Sequence, residues 1–383
     1  MKIIESGVKI PIKSWCEKPD SEAINQAMNL ANLPFAHHHI ALMPDVHVGF
    51  GMPVGGVMAT DGVIIPNAVG VDIGCGMLAC KTNLESLSEE SLKAIMGKIR
   101  QTIPVGFNHR KNAIEIDKPI PEAIISNREY EKARYQAGTL GGGNHFIEIQ
   151  NGSDGFIWFM IHSGSRNIGK QVADYYNRLA KDLNKKWGSE IPTSWDLAFL
   201  PTDTKEGKLY IEEMNYCQNF AQKNRDTMAE YIQKAFEETL NIPIEYEIYN
   251  IHHNYAGLEH HFGKDVWVHR KGATSAKKDE IGIIPGSQGT KSYIVLGKGN
   301  PQSFTSCSHG AGRKMGRKEA QRSLSLEDEI KRMDKLGILH GIRGNRDLDE
   351  APGAYKDIDV VMKEQEDLVD ILVELLPMGV VKG

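Results

Sequence analysis

The chain has 383 residues, 40% of them apolar and 25% charged, with a formal net charge of −5. That balance fits a folded globular chain of one large or two ordinary domains and excludes collagen-like, disordered and disulfide-framework classes. No apolar run approaches the ~20 residues of a membrane span, and five sparse cysteines suit a reducing compartment, so a cytoplasmic protein with no leader segment is expected.

Asp20 and Ser21 open a short amphipathic helix that must end before Pro34. Residues 36–80 are rich in Gly, Val, Ile and Pro and predict short strands joined by loops. A second helix is expected over 88–103, with Ser86-Leu-Ser-Glu89 as its capping box, and a third over 121–136. The continuous apolar run 156–161 predicts a buried strand. Helices follow at 167–187 and 212–240, and a strand at 242–251. Residues 266–307 predict several short strands with tight turns, and 357–376 a closing amphipathic helix broken at Pro377. There is no internal repeat and no linker, so 1–383 is expected to form a single domain of mixed α/β content. Neither a Walker A loop nor a G-x-G-x-x-G turn between strand and helix is present, which excludes the P-loop and Rossmann arrangements.

The residues with unusual chemistry lie outside the expected helices. Asp72-Ile-Gly-Cys75-Gly76 sets a carboxylate and a thiol three residues apart in a glycine-rich turn, half a site for a divalent ion. Three histidines share one context, each at the end of an apolar stretch beside small or amide residues. They are His145 in Gly141-Gly-Gly-Asn144-His145, His162 in Ile161-His162-Ser-Gly-Ser-Arg166, and His252 or His253 before Asn254. Five ligands exceed what one tetrahedral ion needs. A Cys75 thiolate shared between two ions would use them all, Asp72 and His145 serving one and His162 and His253 the other. Ligand chemistry alone favours Zn²⁺ for this set and leaves Mn²⁺ open. The other histidines, including His37-His38-His39, His109, His260, His261, His269 and His340, lack that context.

Two loops suggest nucleotide chemistry. Pro285-Gly-Ser-Gln288-Gly-Thr-Lys-Ser292 is a turn of hydroxyls and free amides that could cradle phosphate. In Ser308-His309-Gly310-Ala311-Gly312-Arg313 small residues let a polyanion approach an imidazole, and the basic run Arg313, Lys314, Arg317, Lys318 is expected to start a helix whose amides favour phosphate. Neutral imidazole is a good nucleophile toward phosphorus near pH 7. In the tail, Val380 and Val381 before Lys382 make docking of the C-terminus plausible.

Taken in order, these strings resemble the RtcB family of RNA ligases over essentially the whole chain. The resemblance rests on Met43-Pro-Asp45-Val-His47, Gly70-Val-Asp72-Ile-Gly-Cys75-Gly76-Met77, the glycine run through Asn144, His145 and Glu148, and His162-Ser-Gly-Ser-Arg166. It rests further on His253-Asn254, Pro285-Gly-Ser-Gln288-Gly, Ser308-His309-Gly-Ala-Gly312-Arg313 and the terminal Gly-Val-Val-Lys382-Gly. It implies two Mn²⁺ ions bridged by Cys75 and held by Asp72, His145, His162 and His253, with GTP as cofactor and His309 as the guanylylated residue. It implies a guanylate pocket of Asn144, His145, Phe146, Ile147, Glu148, His253, Asn254, Pro285, Gly286, Ser287, Gln288, Ser292, His309, Gly310, Ala311 and Gly312, with Glu148 reading guanine. Lys382 would close that pocket and Tyr355 would stack on the base. Asp45 and His47 would lie beside the site without an assigned role.

The implied reaction joins RNA 3′-phosphate or 2′,3′-cyclic phosphate ends to 5′-hydroxyl ends through a guanylyl-histidine, in tRNA splicing or RNA repair. An archease-type activator and a monomeric state go with that reading, and no membrane does. From charge alone, Arg166, Arg270, Lys271 and Arg313 are expected to face RNA. Two rivals are a metal-dependent phosphoesterase with water as nucleophile, which needs neither His309 nor a guanine pocket, and a non-catalytic RNA-binding relative, which would have lost its ligands.

Overall fold

The computed structural model describes residues 1–383. Two sheets carry the site. The first has six strands, in the order Lys2–Ile4, Ile12–Ser14, Ala36–Phe50, Met52–Thr60, Lys264–Lys271 and Asn254–His261. The second has seven, in the order Tyr246–His252, Gly76–Thr82, Ile157–Ser163, Phe146–Gly152, Val369–Lys382, Ser292–Gly297 and Ile281–Ile284, and its neighbours all pair antiparallel. Its two edge strands approach each other, so the sheet curls into a nearly closed barrel. The fold is mixed α/β; its one parallel strand pair, Ile12–Ser14 with Ala36–Phe50 joined through the helix Ser21–Ala31, sits in an otherwise antiparallel sheet, unlike the extended parallel sheet of Rossmann and P-loop folds.

Strand alternation explains the layering. Along Gly76–Thr82, Met77 and Ala79 point into the barrel with Trp158, Met160, Ile283, Ile294 and Leu375. Leu78 and Cys80 point outward with Ile147, Ile149, Phe159 and Ile161, under the helices Glu89–Thr102 and Lys205–Leu240. Each fully buried Ile or Phe there contributes roughly 1.5–3 kcal/mol. The same alternation turns Phe146, Glu148 and Gln150 to the face opposite Ile147 and Ile149.

Most expected helices form. Asp20 caps Ser21–Ala31 through Oδ1, at 2.7 Å from the Glu22 amide. The second helix is capped by Ser88 on the Ser91 amide (3.1 Å), so Ser86 is not the cap. The third begins later than expected, at Ile125–Gln136, because the buried Glu213 carboxylate takes its first amides from below: Ile125 N at 3.0 Å and Ser126 N at 2.6 Å. The helices Arg166–Trp187 and Lys205–Leu240 are present, the latter longer than expected and capped by Thr204.

Two expectations fail. Residues 36–50 make one 15-residue strand, bent by register shifts, rather than short pieces. The expected closing helix over 357–376 is a short helix, Ile358–Glu364, followed by the long strand Val369–Lys382. That strand fills the gap between Ser292–Gly297 and Phe146–Gly152, and tertiary pairing overrides its amphipathic helical spacing. Pro377 sits at a register shift between Pro377 and Gly379, where its missing N–H costs no regular ladder bond. The tail is therefore docked, and Gly383 N donates to His145 O at 3.2 Å.

Candidate active site and metal centre

The five candidate ligands come from the ends of strands that meet at one mouth of the barrel. Asp72 and Cys75 lie in the loop before Gly76–Thr82, closed by Cys75 N donating to Asp72 O at 3.1 Å. His145 precedes Phe146–Gly152, and His162 is near the end of Ile157–Ser163. His253 is the single residue where the chain leaves the barrel at His252 and enters the six-stranded sheet at Asn254. Ligand atoms of Asp72, Cys75 and His145 lie within 4.8 Å of one another, and so do those of Cys75, His162 and His253. Cys75 belongs to both groups.

The donors are aimed. Cys75 Sγ is 3.5 Å from His145 Nε2 and 3.3 Å from His162 Nε2, and His145 Nε2 is 3.1 Å from Asp72 Oδ2. His145 Nδ1 donates to Leu140 O (3.0 Å) and His162 Nδ1 to Asn144 O (3.1 Å). A carbonyl can only accept, so His162 Nε2 keeps its lone pair toward the thiol, while His145 Nε2 faces the Asp72 carboxylate as well as the thiol. His253 Nδ1 is buried with no hydrogen-bond partner in the chain, as a ligand atom awaiting an ion would be. Gly164 cannot be larger, since a Cβ there would stand 2.3 Å from Asp72 Oδ1.

Burial dominates the electrostatics of the cluster. Burial, then the Asp72 carboxylate, pushes the Cys75 thiol well above its ordinary range. Burial, then neighbouring imidazoles, holds His162 and His253 well below theirs, so both are neutral with lone pairs available. Burial would raise Asp72, but its hydrogen bond and charge interaction with His145 hold it low. Such a set fits divalent cations, which take thiolate, imidazole and carboxylate ligands together; its thiolate favours Zn²⁺ and leaves Mn²⁺ open.

Sequence reasoning missed the group beneath these ligands. The Arg225 guanidinium, fully buried on Lys205–Leu240, donates to Gly74 O (3.1 Å) and Ser163 O (2.9 Å) through Nη1 and lies 3.2 Å from His252 Nδ1 through Nη2. Those three residues precede or follow Cys75, His162 and His253 in the chain. One planar cation thus ties together three ligand-bearing segments. His252 Nδ1 faces both Gly74 O (3.1 Å) and Arg225, one or the other bonding it according to tautomer, and it is His253 whose ligand atom clusters with Cys75 and His162.

His309 follows the strand Ser306–Ser308 and faces Asp45 of Ala36–Phe50. Its Nδ1 donates to Asp45 Oδ2 at 2.6 Å, and its backbone N–H donates to the same oxygen at 3.1 Å. That fixes the tautomer and leaves Nε2 free. The His309 ring is 4.8 Å from the His253 ring, centre to centre. Asp45 is held in turn by Lys356 Nζ, which donates to Pro44 O (3.2 Å) and Val46 O (2.6 Å) on either side of it. Gly312, at φ +73°, passes so close that a Cβ would fall 2.3 Å from Asp45 O. His47 Nδ1 donates to Asp45 O at 2.9 Å, and burial lowers this imidazole to about 4.

These groups line a cavity of about 870 Å³, ample for a nucleotide. From the expected set, Asn144, Phe146, Glu148, His253, Asn254, Pro285 to Gln288, Ser292, His309 to Gly312, Tyr355 and Lys382 all border it, as do Asp72, Cys75 and His162. Ile147 does not. Its side chain is in the core on the outer face of the barrel. His145 lies behind the wall, the one candidate ligand that does not border the cavity. Asn254 braces the site, its Nδ2 donating to Asp72 O (3.1 Å) and its Oδ1 accepting from Gly272 N (2.7 Å). Burial raises Glu148 to about 8, against a hydrogen bond from Gln150 and the charge of Lys382. The Pro285–Ser292 turn spends its amides internally: Gly286 N donates to Ser292 Oγ (3.1 Å) and Ser287 N to Thr290 Oγ1 (2.7 Å). The buried Oε1 of Gln288 has no partner and is the acceptor this turn offers.

The charge-based expectation for RNA-facing residues is corrected for Arg166 and Arg270, while Lys271 and Arg313 border the cavity with their charged ends bound to protein groups. Arg270 is fully buried, paired with Glu259 (Nη1 to Oε1, 2.5 Å). Lys271 Nζ is buried on Phe50 O (2.6 Å) and Asn67 O (3.1 Å), and burial lowers it to about 7. Arg313 is turned inward to Glu350 (2.9 Å), which also takes Arg317 (2.8 Å) and the Tyr355 hydroxyl. Arg166, at φ +59°, is locked to Thr139 Oγ1 (3.0 Å) and Gly106 O (2.7 Å). The basic helix starts only at Arg317, so its amides are not at His309.

A histidine presented through one nitrogen, beside a two-part donor cluster in a nucleotide-sized cavity, is the layout of a metal-assisted group-transfer site. The family model for tRNA-splicing ligase RtcB matches residues 26–124 and 118–383. The chain is 39% identical to RNA-splicing ligase RtcB of Escherichia coli K12, over 97% of each chain. It is 31% identical to tRNA-splicing ligase RtcB of Thermococcus kodakarensis, over 94% of this chain and 91% of that one. RNA-splicing ligase RtcB of Mycobacterium tuberculosis is also 31% identical, over 94% of this chain and all of its own. The chain belongs to the RtcB family.

Proposed function

We propose that this protein is an RNA ligase, as its relatives are named, that seals 3′-phosphate or 2′,3′-cyclic phosphate ends to 5′-hydroxyl ends at the expense of GTP, in splicing or repair. Residues 1–383 act as one catalytic domain, since the barrel strands carry most of the candidate ligands and the six-stranded sheet carries Asp45, the partner of His309. The observation that carries the proposal is the His309 Nδ1–Asp45 hydrogen bond at 2.6 Å, beside the His253 ring. It presents Nε2 as a nucleophile, which a phosphoesterase using water would not need.

His309 Nε2 attacks the α-phosphorus of GTP, forming an N–P bond as the bond to pyrophosphate breaks. Asp45 stabilises the positive charge that develops on the ring. Glu148 and Gln288 are placed to accept hydrogen bonds from guanine N–H groups, Tyr355 to stack and Lys382 to offset phosphate charge. The RNA 3′-phosphate, formed first where the end is cyclic, displaces His309 and takes GMP. The 5′-hydroxyl oxygen then attacks that phosphorus and GMP leaves. Two Mn²⁺ ions, held by Asp72, Cys75, His145, His162 and His253, would supply charge neutralisation at the phosphates. A cytoplasmic monomer, with an archease-type activator, is the assembly this reading takes. No helix is long and apolar enough to cross a membrane.

The test uses two synthetic RNAs, one ending in a 2′,3′-cyclic phosphate and one beginning with a 5′-hydroxyl, incubated with protein, Mn²⁺ and GTP. A joined product that requires GTP is expected. Conversion of the cyclic end to a monophosphate with no joining, at any GTP concentration and with an archease added, would favour the phosphoesterase instead.

A further inference from the structure

Phe107 is wholly exposed, at 102% of its reference area. Its loop is nevertheless firmly anchored on both sides. Before it, Gly106 N donates to Gly141 O (2.8 Å) and Gly106 O accepts from Arg166 Nη2 (2.7 Å). After it, Arg110 N donates to Tyr135 O (2.9 Å), and the Arg110 guanidinium reaches Gly138 O (3.2 Å) and lies 4.2 Å over the Tyr231 ring. A mobile loop could fold such a ring away. This one is pinned with the ring in water, although burying a Phe is normally favourable.

The position of the loop gives the ring a use. Gly106 is docked on the glycine run 141–143, which leads directly into Asn144 and His145. A Cβ on Gly142 would touch Gly106 Cα (3.8 Å), and a Cβ on Gly143 would meet the Arg317 guanidinium (2.8 Å). The glycine run is therefore flanked by the Phe107 loop on one side and by Arg317, half exposed at the cavity edge, on the other. Exposed Asn108, His109 and Lys111 follow Phe107. Val71, also exposed, lines the cavity next to Asp72. A rigid aromatic among polar and cationic groups, beside the exposed Gly142 and close to Asn144 at the cavity wall, has the makings of a platform for an unpaired base.

Resting on the ligase reading, we infer that Phe107 stacks against a base of the single-stranded RNA end as it crosses the glycine run toward the metal centre. Phe107 is thus a substrate-positioning residue outside the guanylate pocket. A base has a π face whatever its identity, so the contact adds affinity without sequence preference, and the chain's net charge of −5 is offset locally by Lys111 and Arg317.

The experiment compares wild type, Phe107→Ala, Phe107→Leu and Phe107→Trp in two assays: binding of a fluorescent single-stranded RNA bearing a 3′-phosphate, and labelling of the protein by α-labelled GTP with Mn²⁺. Because Phe107 is in water, all three variants should fold. Loss of the ring should weaken RNA binding roughly 5- to 100-fold in Phe107→Ala, with GTP labelling unchanged. Phe107→Leu should bind nearly as poorly, and Phe107→Trp should bind at least as well as wild type, its added indole emission quenched by RNA. RNA affinity that is unchanged in Phe107→Ala would overturn the inference and assign the ring to a protein partner. Full affinity in Phe107→Leu would overturn stacking. A wild type that takes no label from GTP signals failure of the ligase reading, which is a separate result.

Discussion

Replacing Asp45 by Asn tests the core of the nucleophile. The carboxylate takes two hydrogen bonds from His309 on one oxygen, Nδ1 at 2.6 Å and backbone N at 3.1 Å, while Oδ1 is buried and unpartnered. An Asn that turns its carbonyl to His309 keeps both bonds and the tautomer but loses the charge. A hydrogen bond to a charged group is worth about 1.5–3 kcal/mol, against about 0.5–1.5 for a neutral one. The loss over two bonds is about 2–3 kcal/mol, most of it felt once the ring becomes cationic. That is roughly 30- to 150-fold in rate. An amide flipped the other way would oppose two donors and cost more. The assay is the single-turnover rate of labelling by α-labelled GTP at saturating Mn²⁺. Metal content should be unchanged, because Asp45 is outside the ligand groups. Labelling within about threefold of wild type would refute the reasoning.

Other consequences follow from buried charges. Arg225→Met removes the tie between three ligand-bearing segments, and metal affinity should fall on the order of 10- to 100-fold; elemental analysis after dialysis against graded free Mn²⁺ checks this, and two ions held at wild-type affinity would contradict it. Folding raises Glu148 from its ordinary 4.5 to about 8, so its contribution to stability is full below about pH 4.5 and is lost as pH rises through 8. Glu148→Gln, which never ionises, should therefore gain thermal stability over wild type as pH climbs from 5 to 8, by up to a few kcal/mol; a difference independent of pH would count against the burial argument. Arg270→Met strands Glu259 in the interior and should cost about 3–5 kcal/mol in urea unfolding, with RNA affinity of the folded fraction unchanged.

The cluster of Asp72, Cys75, His145, His162 and His253 was legible because each lies at or near a strand terminus beside glycine or amide residues, a local pattern the fold only had to gather. His309 was legible for a similar reason, in a run of small residues. Its partner was placed beside the site only through the family resemblance, and its role was not legible. Asp45 lies 264 residues away and reaches His309 only because Ala36–Phe50 passes under the Ser306–Ser308 strand. Arg225 was hidden inside a helix whose charge pattern looks like any solvated face. Arg270 shows the reverse error: a formal charge in a basic string says nothing about burial, and Glu259, its neighbour two strands' turn away, makes it part of the core. The strand Val369–Lys382 was read as a helix because its apolar spacing suits both periods, and only the open gap between two barrel strands decides it.

The central claim is that His309 carries GMP. Incubating the protein with Mn²⁺ and α-labelled GTP, then mapping the labelled peptide, tests it most directly. The account predicts acid-labile, base-stable label on the peptide containing His309, absent from His309→Ala. No label on metal-loaded protein with an archease added, or label retained in His309→Ala, would contradict it.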